Sequence, residues 1–111
     1  MQGSYDPWAE EQTLYYRKQY LQLLESLAGV AQKMEDWFKS EQLARQILHH
    51  DPFREDIHCL LMRAHAAMGN KGAVREQYES LRRLLESELG VEPSAETRKT
   101  YQELIGQTKR T

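Results

Sequence analysis

Cysteine is almost missing from this chain: Cys59 is the one thiol in 111 residues, so no internal disulfide can form. A lone thiol fits a reducing compartment, and the expectation is a cytoplasmic protein. Proline occurs three times and glycine six times, mostly where apolar periodicity stops, as in helix-rich chains. Long apolar runs are lacking too, and none approaches the roughly 20 residues that span a bilayer. No basic region followed by an apolar stretch opens the chain, so nothing reads as a secretory signal. Nor is there an excess of positive charge. Fifteen Lys and Arg face 17 Asp and Glu, a formal net charge of −2. A domain that binds DNA alone usually carries a clear cationic surplus, because phosphate neutralisation dominates the affinity. Sustained period-two alternation is also absent, so no strands are expected.

What is present is helical periodicity, in five segments. Asp6 can cap a long first helix over about 7–34, with Pro7 at the tolerated first position. Its apolar stripe reads Tyr20, Leu24, Leu27, Ala31, Met34, interrupted by Gly29, which weakens a helix by about 1 kcal/mol against Ala. Asp36 can cap a second helix carrying Trp37, Ser40, Ala44, Ile47 and Leu48, and Asp51-Pro52 stops it. A third helix follows on Ile57, Leu60, Leu61, Ala64 and Met68, closed by Gly69-Asn70. The fourth uses Val74, Tyr78, Leu81, Leu85 and Leu89, with Gly90 as its left-handed terminator. Ser94 and Thr97 open a short fifth helix packed through Tyr101, Leu104 and Ile105. Residues 1–5 read as a cloning remnant (Met1-Gln2-Gly3-Ser4) or a flexible end, and 107–111 as a flexible end, around one tetratricopeptide-like helical domain spanning 6–106.

Short links between long amphipathic helices favour antiparallel neighbours. The expected fold is therefore all-α, a tetratricopeptide-like stack of antiparallel helical hairpins. A 34-residue comparison supports this, since Glu35 and Gly69 fall at equivalent turns. In such stacks the first helix of each hairpin builds a concave face. The repeat register places Gln22, Glu25, Gln32 and Lys33 there from one hairpin, and Asp56, Cys59, Arg63 and Ala67 from the next. A groove of mixed polar groups suits an extended segment or helix of a partner protein. A plain solvated face is the alternative.

The chemistry-bearing residues form no catalytic pattern. His58 and His65 are seven residues apart, about 10 Å along a helix, too far to share a metal without other ligands. Cys59 has no adjacent base signature and reads as a structural thiol. Carboxylates fall beside Lys and Arg, with Glu41–Arg45 and Glu79–Arg83 at surface-pair spacing. No Gly-rich phosphate loop occurs, and no catalytic, cofactor or metal site is expected. Arg75, Arg82 and Arg83 form a basic cluster, but Glu76, Glu79, Glu86 and Glu88 share that helix and would repel phosphate. Glu55 should favour a helix dipole, and Arg54 should reach Asp51 or a preceding carbonyl. Trp8, Tyr15, Tyr16 and Trp37 read mostly as core, yet two successive tyrosines cannot both face inward. One of them could mark a dimer or interdomain contact.

The second half is more specific. Asp51-Pro52-Phe53-Arg54-Glu55, then Leu61-Met62-Arg63-Ala64, then Tyr78-Glu79-Ser80-Leu81-Arg82-Arg83-Leu84-Leu85 lead into Glu88-Leu89-Gly90-Val91-Glu92-Pro93-Ser94 and Glu96-Thr97. That order, with Trp8 near the start, resembles the bacterial transcriptional activator domain of antibiotic-regulatory-protein-type regulators, over roughly 7–105. The resemblance implies a non-catalytic effector or oligomerisation domain in transcription regulation, contacting itself, neighbouring domains or the transcription machinery. It further implies that DNA is bound by a separate winged-helix domain, sometimes alongside a receiver domain. A free-standing adaptor for a protein or peptide partner is the alternative.

Overall fold

The computed structural model describes residues 7–106. Five helices follow one another: α1 (Pro7–Lys33), α2 (Trp37–His50), α3 (Glu55–Ala67), α4 (Lys71–Leu89) and α5 (Ala95–Gly106). No strand occurs among the described residues, and none of their helices is long and apolar enough to cross a membrane. The expected Asp6 cap and the ends at 1–5 and 107–111 lie outside the described residues.

Two turns show how the sequence sets the stack. Glu35 and Gly69 both adopt positive φ, 58° and 79°. At each turn the next residue's N–H reaches back to a helix carbonyl: Asp36 to Ala31 and Asn70 to His65, both 2.9 Å. The same two residues then cap the following helix, Asp36 accepting from Lys39 N and Asn70 from Ala73 N. A helix stop and a helix start are thus compressed into adjacent residues, which folds each helix back on the last. The two units lie 34 residues apart, so the periodicity is structural as well as sequential. Gly90 ends α4 in the left-handed conformation, as its position before Val91 suggests.

Successive helices pack side by side, and α5 returns to touch both α3 and α4. One core cluster joins α1, α2 and α3 through Leu24, Ala28, Ala44, Ile47 and Leu61. A second joins α3, α4 and α5 through Met62, Val74 and Leu104. Beside it Tyr78 and Tyr101 stack at 4.0 Å, nearly parallel. Leu81 and Leu85 of α4 are also buried. Because three helices enclose it, α3 is buried on most sides, His58, Cys59, Met62 and His65 included, rather than on a single stripe.

Three sequence expectations need correction here. In α1 the buried residues are Leu24, Ala28 and Ala31, while Tyr20, Leu27 and Met34 stand in solvent. A spacing of three and four fits two neighbouring stripes of this helix; one is buried against α2, while the other only borders it, Tyr20 reaching Gln46 and His50 from its edge. Leu89 and Met68, at helix ends, are likewise exposed. The aromatic residues Trp8, Tyr15 and Tyr16 are exposed as well, and only Trp37 packs against the core. Residues 7–20 of α1 are exposed throughout, because a helix of 27 residues, about 40 Å long, outruns the 14-residue α2. That overhang helps make the molecule long and flat, 65 × 35 × 21 Å.

Candidate functional site

The face shared by α1 and α3 carries a polar groove of about 310 Å³. Its polar lining is Glu25 and Gln32 from α1, Arg54 from the preceding turn, and Asp56 and Arg63 from α3. Ala28, Gly29, Ile57 and Leu60 form the apolar part. A Cβ at Gly29 would meet nothing, so this glycine opens space in the groove rather than permitting a close helix contact.

Arg54 organises one end. Its guanidinium donates to both oxygens of Asp56, at 3.1 and 2.9 Å, and to Glu25 Oε2 at 2.7 Å. This fork geometry ties the start of α3 to the middle of α1 across 29 residues of sequence. The bonds to Asp56 and Glu25 raise the guanidinium's pKa further, and Arg54 in turn holds the Asp56 carboxyl below its ordinary value. Arg54 therefore reaches neither Asp51 nor a preceding helix carbonyl with its side chain; the carboxylates on its two flanks outcompete them. Arg63 makes no ion pair among the described residues, so the groove has a neutralised end and a cationic one.

Of the eight groove residues read from the sequence, the structure brings four together: Glu25, Gln32, Asp56 and Arg63. Gln22, Lys33 and Ala67 are exposed on the same helices but do not line the cavity. Cys59 is a correction. It is buried beneath α5, its thiol donating to Thr97 Oγ1 at 3.7 Å, and burial pushes its pKa up. Helix α5 covers the part of α3 that two-hairpin geometry leaves open. Arg54 and Gly29 were missed as groove residues; their cue was the 34-residue frame, which sets the turn before α3 beside α1.

Two buried polar connections hold α3 in place. His58 Nε2 donates to the Pro52 carbonyl at 2.8 Å, which leaves Nδ1 to accept from Gln77 of α4, also at 2.8 Å. Burial lowers the pKa of His58, although the Pro52 carbonyl and the nearby Glu55 and Asp56 carboxylates oppose that. Glu55 Oε1 accepts from the Ser94 N–H at 3.0 Å and the Thr97 hydroxyl at 2.7 Å, while Ser94 Oγ caps Thr97 N. Desolvation raises the pKa of Glu55, but these hydrogen bonds outweigh it and leave it lowered. Glu55 thus anchors the start of α5, beyond the dipole role read from its position.

Elsewhere the surface charges largely satisfy one another. Glu41 and Arg45 pair at 3.0 Å, and Arg82 pairs with Glu79 and Glu86 rather than leaving Glu79 to Arg83. That pairing occupies part of the basic cluster of α4. A larger concavity, about 430 Å³, lies over the α4–α5 link at Tyr78, Arg82 and Pro93. Two of its charged walls, Arg82 and Glu86, already pair with each other, so it offers a ligand fewer unpaired charges than the groove. Among the described residues no three His, Cys, Asp or Glu side chains come together that could hold a metal ion.

The family model of the bacterial transcriptional activator domain matches residues 2–105. The chain belongs to this family. No curated protein and no solved structure matches it. Membership in the bacterial transcriptional activator domain family puts this domain in the setting of transcription regulation. The features that carried the resemblance also have structural tasks here. Gly90 ends α4, Ser94 and Thr97 start α5, and Arg54–Glu55 tie α3 to α1 and α5.

Proposed function

We propose that this domain is the non-catalytic, cytoplasmic effector module of a DNA-binding transcriptional regulator and holds an extended protein segment in the α1–α3 groove. The observation that carries this reading is the groove's polarity. Charged and amide groups from two helices converge on it, with one end neutralised by the Arg54–Glu25–Asp56 clasp and Arg63 at large. An extended backbone needs such donors and acceptors, and a carboxylate on the partner would match Arg63. DNA contact would be left to a separate winged-helix domain, consistent with a net charge of −2.

The test is promoter-driven transcription by a regulator carrying this domain with Gln32→Glu and Arg63→Glu together. Both side chains are partly exposed, so folding should survive. Transcriptional output should fall at least tenfold while promoter DNA is still bound. Unchanged output would show that the groove plays no part.

A further inference from the structure

The exposed stripe of α1 is a second surface, separate from the groove. Tyr16, Tyr20, Leu23, Leu27, Val30 and Met34 succeed one another at spacings of four, three, four, three and four. This is the a/d spacing of a coiled-coil seam. All six side chains are between 44% and 74% exposed, and the neighbouring stripe of Leu24, Ala28 and Ala31 is already used against α2. Met34 extends the seam past Lys33, since its N–H still bonds to the Val30 carbonyl at 3.0 Å.

We infer that this stripe is the contact between two copies of the chain, with the two α1 helices antiparallel. The first reason is register. Centred on residue 25, an antiparallel pair sets Tyr16 against the second copy's Met34, Tyr20 against its Val30, and Leu23 against its Leu27. Every layer then joins an a position to a d position, as antiparallel helices require, and each aromatic ring meets a smaller or flexible aliphatic chain. The stripe is self-complementary, the condition for a two-fold contact.

The second reason is area. At about 100 Å² of exposed surface per side chain, six of them present about 600 Å² on each copy, or about 1,200 Å² in the pair. That reaches the range of specific interfaces and lies at the upper end of what a monomer leaves uncovered. Charge does not oppose the arrangement. The open flank of the seam carries Gln19, Ser26 and Lys33, and Gln19 falls opposite the second copy's Lys33, so no like charges meet. On the other flank a mainly apolar hollow of about 220 Å³ between α1 and α2, lined by Leu27, Val30, Met34 and Leu43 together with the oppositely charged Asp36 and Lys39, leaves room for a side chain of the second copy. Because α2 already braces α1, the pair closes as a four-helix arrangement rather than relying on a short isolated coil.

Self-association would be one of the contacts of the proposed effector module, yet it does not depend on the groove. The experiment is sedimentation equilibrium of the chain across a wide dilution series, with Leu27→Glu beside it. The native chain should dimerise, and Leu27→Glu should weaken dimerisation about 30-fold or more while the helix content matches that of the native chain at high dilution. Cross-linking reads the register. A mixture of Tyr16→Cys and Met34→Cys chains should form a disulfide-linked pair on oxidation. Tyr16→Cys alone should not, since antiparallel pairing holds those two positions about 27 Å apart. A monomer at every concentration, a dimer indifferent to Leu27→Glu, or linkage of Tyr16→Cys to itself would each overturn the inference. Arg63→Glu should leave dimerisation intact, so failure of the groove reading and failure of this one are told apart.

Discussion

The carboxy-terminal part of this domain and the leading half of α1 are built from comparable helices but held by different means. Helix α3 is enclosed by α2, α4 and α5, and its ends are tied by His58 to Pro52 and Gln77 and by Glu55 to Ser94 and Thr97. Residues 7–20 of α1 are all exposed, yet they carry Trp8, Leu14, Tyr15, Tyr16 and Tyr20. A helix therefore does not become core by having apolar residues; it needs a neighbour long enough to cover them. The chain spends its polar bonds where helices converge and leaves apolar surface where one helix runs on alone. The first region should resist change poorly and the second should tolerate it.

The largest contrast comes from placing a charge in each region. Leu81→Asp buries a carboxylate at a fully enclosed position and should abolish the cooperative thermal transition, a loss of about 4 kcal/mol or more. Tyr15→Asp, on the exposed overhang, should alter stability by less than about 0.5 kcal/mol. Circular dichroism melts of the two variants read the difference. A native-like melt for Leu81→Asp would break the comparison.

Acid should strike the enclosed region next. Burial depresses the pKa of His58 and of His65, the latter opposed by Glu41 and assisted by Arg45. A depressed folded-state pKa means the neutral ring is favoured by folding. That stability is complete above the unfolded value of about 6.5 and is lost as pH falls through the lower folded values. Glu55 and Asp56, also depressed, add a further loss of the same sign at lower pH. The denaturant midpoint should hold steady from about pH 8 to 7 and then decline, and His58→Gln should flatten the first part of the decline. A midpoint unchanged down to about pH 5 would remove the buried histidines from the argument.

The smallest effect sharpens the account of α5. Thr97→Val keeps the shape but removes the hydroxyl that donates to Glu55 and accepts from Cys59 and Ser94. It should cost about 1–2 kcal/mol in chemical denaturation. Because Thr97 is buried, no effect would mean that packing alone holds α5 against α3.

Local sequence determined a great deal about this protein. Asp36, Asn70 and Ser94 as caps, Gly69 and Gly90 as left-handed stops, and Pro52 after α2 act within a few residues, so the five helices and their hairpin connections could be read in order. The repeat frame also put Glu25, Gln32, Asp56 and Arg63 on one face. Only the tertiary structure decided which of two apolar stripes on α1 is core, because both have helical spacing and the choice depends on where α2 lies. It alone placed Cys59 under α5, turned Arg54 toward Glu25 and joined Glu55 to Thr97 across 42 residues. Helix starts and stops are settled by neighbours in the chain, whereas burial and polar pairing are settled by neighbours in space.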